Sequence, residues 1–292
     1  MANYSLRNGE LEVKMKSCGA ELVGIHDVKN GNNYLWEANP EFWARTSPVL
    51  FPLVGSLRNK EYSYQGKVYP MNQHGFARDL KFDCTKKTES EIWFSLKATE
   101  ETKKVYPFLF HLELGYSLVG RTVKVMWRVT NEGDDEMYFS IGAHPAFVCP
   151  MIPGTNRDEY FIEFADQKSL TYRRLNDQGL MEDEEYLLET DDGVIPFDAE
   201  LFGKDALIFE NNQAKKISIL EPDKTPYVTV SFDAPLFGLW TPAHKKAPFL
   251  CIEPWYGRCD RVEFDGTLET REWGNHIAPG EVFEAAYNIE IG

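Results

Sequence analysis

The chain has 292 residues, 43% hydrophobic and 26% charged, with 31 Lys and Arg against 46 Asp and Glu for a formal net charge of −15. That length suits one large β domain as well as two ordinary ones, and the composition is that of a globular protein with a sizeable core. The negative charge argues against nucleic acid or an anionic membrane as partner, because both are bound through excess Lys and Arg. A small anionic ligand stays possible if a local basic cluster meets it.

The amino terminus, MANYSLRNGELEV, is polar from the start and lacks a signal peptide's apolar stretch. No segment approaches the length needed to span a bilayer, so a cytoplasmic location is expected. LEVKM then sets Leu11, Val13 and Met15 on one face of a strand. Asn30-Gly31-Asn32-Asn33 reads as a turn, and NPEFWA offers Asn39 as N-cap and Pro40 at the first position of a short helix. A second short helix is predicted in ATEETKKVYP, ended by Pro107.

TVKVMWRV places Val123, Val125, Trp127 and Val129 on one strand face, and YVTVSF and AAYNIEI continue the period-two habit. Glu132-Gly133-Asp134 and Asp191-Asp192-Gly193 punctuate these runs as turns, and the acidic stretch at 182–192 reads as a solvated loop or strand edge. Strands do not alternate with long helices, so the expected architecture is a large all-β sandwich rather than a parallel βαβ fold. With no repeat or linker composition, residues 1–292 read as one domain. The five cysteines are odd in number and form no C-x-x-C pair, as expected of thiols in a reducing compartment.

Signatures of nucleotide loops, zinc proteases, EF-hands and serine hydrolases are absent. What chemistry the chain carries is spread over several segments. FWARTSPVLFPLVGSLRNKEY brackets an apolar, Pro-rich run with Arg45 and Arg58, charges that need a partner or a pocket. NQHGFARD holds His74 beside Gly75 with Arg78 close by, and FSIGAHPAF holds His144 among apolar residues. FLCIEPWYG delivers Glu253 on an apolar run to a turn of Pro254, Trp255, Tyr256 and Gly257. Each residue alone is more simply a satisfied core or ion-pair residue. Together, with Trp36, Phe42, Trp43 and Trp240, they suit a sugar, which presents an apolar ring face and a rim of hydroxyls.

With GAELVGI, SPVLFPLVGSLRN, HGFARD, GAHPAF, CIEPWYG and APGEVFEAAYNIEI in order, the sequence resembles the aldose 1-epimerase (galactose mutarotase) family, and within it the LacX-type and hexose-6-phosphate 1-epimerase-like branch. The resemblance implies an all-β fold, a large antiparallel β-supersandwich with a few short helices, and no metal or cofactor. It implies Glu253 as general base at the anomeric hydroxyl and His144 as general acid at the ring oxygen. His74, Arg58 and Asp205 (in GKDALIF) would bind substrate, with Arg78 and Trp255 as further candidates. The partner would be a sugar or sugar phosphate, and the protein a monomer or homodimer.

Departures from the better known galactose mutarotases, Phe76 after Gly75 and Ala143 before His144, put the substrate in question rather than the reaction. Ring opening needs a proton taken from O1 and one delivered to O5, and a carboxylate and an imidazolium on opposite sides of the C1–O5 unit suffice. The alternatives are a hexose-6-phosphate 1-epimerase and a non-catalytic carbohydrate-binding protein. A cupin-like metal site would want an H-x-H pair, and a glycosidase a second carboxylate beside Glu253.

Overall fold

The computed structural model describes residues 3–165, 167–198 and 200–292. The all-β expectation holds. A nine-stranded sheet runs, from one edge, through Val194–Pro196, Phe161–Phe164, Lys216–Leu220, Pro226–Phe232, Val282–Ile291, Thr122–Asn131, Phe110–Val119, Glu91–Lys97 and Asp83–Lys87. An eight-stranded sheet runs through Met181–Glu189, Ser169–Leu175, Leu207–Phe209, Leu236–Trp240, Phe249–Tyr256, Ile141–Ala143 and Val49–Leu50, with Ala146–Val148 also paired to Phe249–Tyr256. Neighbouring strands in both sheets are antiparallel.

The period-two runs lie where alternation puts them: on Thr122–Asn131, Val123, Val125, Trp127 and Val129 are buried while Lys124 is exposed. The buried faces of the two sheets meet through aromatics, with Phe164 of the larger sheet 5.8 Å from Phe209 of the smaller one and Trp127 packed against Tyr256. Full burial of such side chains contributes about 1.5–3 kcal/mol each, which is what holds one sheet on the other. The acidic stretch forms the edge strand Met181–Glu189, where its carboxylates face water.

Thr99 caps the short helix Glu100–Lys103 with a reciprocal capping box to Thr102. NPEFWA, expected to be helical, is instead a single turn in which Phe42 and Trp43 N–H groups bond the Asn39 carbonyl. The turn ends there because Trp36 Nε1 donates to the Trp43 carbonyl at 2.8 Å, and Trp43 packs on His144 rather than extending a helix. The described cysteines are all free thiols. No helix among the described residues is long and apolar enough to cross a membrane.

Candidate active site

Glu253 lies on Phe249–Tyr256, an interior strand of the eight-stranded sheet, directly opposite Gly238 of Leu236–Trp240. On its other side the chain 141–148 pairs as two short strands, Gly142 with Trp255 and Ala146 with Cys251, and is broken at Pro145. That register sets His144 opposite Glu253, and proline, with no N–H to give the ladder, frees His144 to turn toward it. His144 Nε2 is 3.3 Å from Glu253 Oε1. The catalytic candidates, 109 positions apart in the chain (253 − 144), are thus cross-strand neighbours.

His74 arrives from a separate loop. Its backbone is left-handed, with φ of 65°, a conformation that carries strain for a residue with a side chain. Gly55 holds it from both directions: His74 N–H donates to the Gly55 carbonyl at 2.9 Å, and Gly55 N–H donates to His74 Nδ1 at 3.1 Å. The next residue must be glycine, since a Cβ on Gly75 would lie 2.2 Å from the Phe51 carbonyl oxygen. Burial, with the neighbouring His144, Arg78 and Arg45, pushes the His74 pKa well down. A neutral ring accepting at Nδ1 carries its hydrogen on Nε2, so His74 is a fixed donor.

These groups line a cavity of about 370 Å³ together with Trp43, Arg45, Gln73, Arg78, Asp205, Trp240 and Trp255. Trp43 stacks on the His144 ring at 4.6 Å and Trp240 meets it edge-on at 5.3 Å. The cavity shares Gln73 and Arg78 with an adjoining polar cleft of about 790 Å³ that also exposes Lys60. Buried polar atoms without hydrogen bonds gather here: both oxygens of Glu253, His144 Nδ1, Trp255 Nε1 and Arg78 Nε. Such atoms cost roughly 1–3 kcal/mol each unless something binds them.

Electrostatics follow from burial. Glu253 is 1% exposed; burial and the nearby Asp205 carboxylate push its pKa well up, opposed by the Trp255 indole. Burial, with the positive charge of Arg78, pushes His144 down to about 3. Burial therefore favours the uncharged pair, a protonated Glu253 beside a neutral His144, over the carboxylate and imidazolium expected from the sequence. Cys251 is close enough that its sulfur, His144 and Glu253 place ligand atoms within 4.8 Å of one another, but burial pushes its thiol well up and keeps it uncharged.

Of the expected site residues, Glu253, His144, His74, Asp205, Arg78 and Trp255 line one cavity. Arg58 does not. Its Nη1 donates to the Phe264 carbonyl at 2.9 Å and its backbone N–H to Asp260, so it ties the 260–264 segment down instead of facing the cavity. Arg45, the other arginine of FWARTSPVLFPLVGSLRNKEY, does line the cavity and is joined to Asp79 at 2.8 Å. Gln73, Leu175 and Gly179 were not foreseen; Gln73 stands next to His74 in NQHGFAR, whereas Asn176-Asp177-Gln178-Gly179 marks a turn but nothing local shows that it reaches the cavity. The candidate acid His144 and the candidate base Glu253 are neighbours, a spacing that suits a hemiacetal, whose O1 and O5 share one carbon.

The profile of the family described as Aldose 1-epimerase matches residues 2–290. The chain belongs to the aldose 1-epimerase family. It is 32% identical to the plasmid-encoded protein LacX of Lactococcus lactis subsp. lactis, over 98% of each chain. Among solved structures it is similar to a galactose mutarotase related enzyme from Lactobacillus acidophilus, at 36% identity and a TM-score of 0.94 over 100% of this chain and 97% of that one. A galactose mutarotase-like protein from Lactobacillus casei superposes with a TM-score of 0.92 at 27% identity, covering both chains fully. These likenesses agree with the supersandwich fold of this aldose 1-epimerase family member.

Proposed function

We propose that this protein interconverts the α and β anomers of a hexose by acid–base opening of the hemiacetal ring. The observation that carries the reading is the buried pair at the cavity wall: His144 Nε2 is 3.3 Å from Glu253 Oε1, and neither carboxylate oxygen is hydrogen-bonded. A buried carboxylate left unpaired is a group held for a ligand. One proton shared by the pair is what the reaction needs. Sugar hydroxyls entering the cavity donate to Glu253 and favour its ionised form, leaving the proton on His144.

Glu253 then takes the O1 proton as the C1=O1 bond forms, the C1–O5 bond breaks, and His144 gives its proton to O5. Rotation about C1–C2 and reversal of these steps deliver the other anomer, with the proton inventory unchanged. His74 Nε2–H and Asp205 supply a donor and an acceptor for hydroxyls, and Trp43 and Trp240 offer apolar surface to the ring face.

A second reading, a hexose 6-phosphate as substrate, is favoured by Arg78. Its Nη2 is bound to the Gln73 carbonyl at 2.7 Å, but its Nε is buried without a partner, and Asp79 lies 3.9 Å from it while engaged by Arg45. Burial and the Arg45 charge lower its pKa to about 10, a repulsion that a phosphate dianion would relieve. NMR exchange spectroscopy between anomers, over free hexoses and their 6-phosphates, tests both readings. Acceleration of one class names the substrate, and acceleration of none would leave a carbohydrate-binding protein.

A further inference from the structure

Trp255 and Glu253 sit two residues apart on one strand, so their side chains project from the same face. Both are buried, 5% and 1% exposed, and both line the cavity. The indole Nε1 has a hydrogen and no acceptor; the carboxylate has two acceptors and no donor. An indole can only donate, and an ionised carboxylate can only accept.

Two glycines set where the ring lies. A Cβ on Gly142 would be 2.5 Å from Trp255 Cδ1, and a Cβ on Gly238 would be 2.5 Å from Cη2. Gly142 is the cross-strand partner of Trp255 itself, whereas Gly238 is the partner of Glu253. The ring thus lies back along its own strand toward the row of Glu253, in a slot that a side chain at either glycine would fill.

We propose that Trp255 is a positioning residue for the base: its indole N–H, laid in the glycine slot, becomes the donor to the Glu253 carboxylate when that group ionises. The proposal rests on Glu253 being the base, and its test is read on Glu253 itself. The other groups around Glu253 are His144 from the broken strand opposite, Asp205 ahead of Leu207–Phe209, Cys251 on its own strand, and His74, Arg78 and Arg45, which line the same cavity. Asp205 and the thiol cannot help the ionised form, and His144 is needed as the acid. A hydrogen bond to a charged group contributes roughly 1.5–3 kcal/mol, so its loss corresponds to about 10-fold or more in the ionised population.

The experiment is a carboxyl ¹³C NMR titration of Glu253 in the wild type and in Trp255→Phe, which keeps a ring in the slot and removes the N–H. The expected result is an upward shift of the Glu253 titration, with kcat for anomer exchange at pH 7 falling about 10-fold or more and KM unchanged. An unshifted titration, or a raised KM at constant kcat, would overturn the proposal. If Trp255→Phe folds poorly, the indole ¹⁵N–¹H resonance of wild-type Trp255 decides instead: it should titrate with Glu253 and become flat in Glu253→Gln, and a flat response in the wild type overturns the proposal. Neither titration depends on turnover, so a wild type with no anomer exchange would sink the mutarotase reading while the pairing was still decided.

Discussion

Glu210 and Glu253 are both buried on the eight-stranded sheet, 5% and 1% exposed, and the fold surrounds them in opposite ways. Glu210 follows Leu207–Phe209 and accepts from Arg173 Nη1 and Arg258 Nε, each at 2.7 Å, and from Trp273 Nε1 at 2.8 Å. Arg258 goes on to Glu272 and to the Cys259 carbonyl, and Arg271 pairs with Asp260 at 2.9 Å. This network pins the segment after the Glu253 strand back onto the sheet. Glu253 has His144 nearby, no hydrogen bond, and a tryptophan N–H left equally unpaired. A saturated carboxylate holds shape; an unsaturated one stores free energy that a ligand releases.

The same substitution at the two sites should separate these roles. Glu253→Gln is expected to lower anomer exchange by roughly 10²–10⁴-fold, since an amide of equal shape cannot take the O1 proton; near-normal exchange by NMR would remove Glu253 from the mechanism. The wild-type kcat/KM should be bell-shaped in pH. Its acid limb is set by His144, lowered to about 3, and its alkaline limb by Glu253, which burial raises. An alkaline limb in the ordinary carboxylate range would contradict that assignment.

Glu210→Gln is expected to destabilise the fold by about 1.5–3 kcal/mol, because Arg258, 3% exposed, and Arg173 each lose one charged partner while keeping Glu272 and Glu185 respectively. Urea unfolding measures it, and a loss under about 1 kcal/mol would show that the network is not what holds this segment.

Stability should move the other way in Glu253→Gln, by about 1–3 kcal/mol at neutral pH. The sign follows from linkage. A folded-state pKa raised above the unfolded carboxylate value of 4.5 stabilises the fold below that value, and the benefit is lost as pH rises through the folded pKa. The gain in the Gln variant should therefore be absent near pH 4 and grow above it in thermal unfolding followed across pH.

The smallest effect concerns substrate. Arg78→Ala should raise KM for a hexose 6-phosphate about 10-fold more than for the free hexose, and added salt should erode the difference. Equal changes on both substrates would assign Arg78 to the fold.

Period-two alternation made the strands legible, because a half-buried sheet has to alternate apolar and polar residues, and the motifs around His74, His144 and Glu253 marked most of the cavity wall. Arg58 misled because a guanidinium beside an apolar run is satisfied as well by a distant carbonyl as by a pocket, and short-range sequence cannot tell which. NPEFWA carried good capping residues, but tertiary contacts of Trp36 and Trp43 outweighed the weak local preference for helix.

Composition, alternation and motif order by themselves determined the all-β class and the family, and nominated Glu253, His144, His74, Asp205, Arg78 and Trp255 as candidates for the site. Only the tertiary structure decided that His144 stands opposite Glu253 in register, that Glu210 is paired while Glu253 is not, and that burial favours the uncharged pair. The physical reason is that side-chain type is local, whereas register, desolvation and hydrogen-bond supply depend on which distant strands meet.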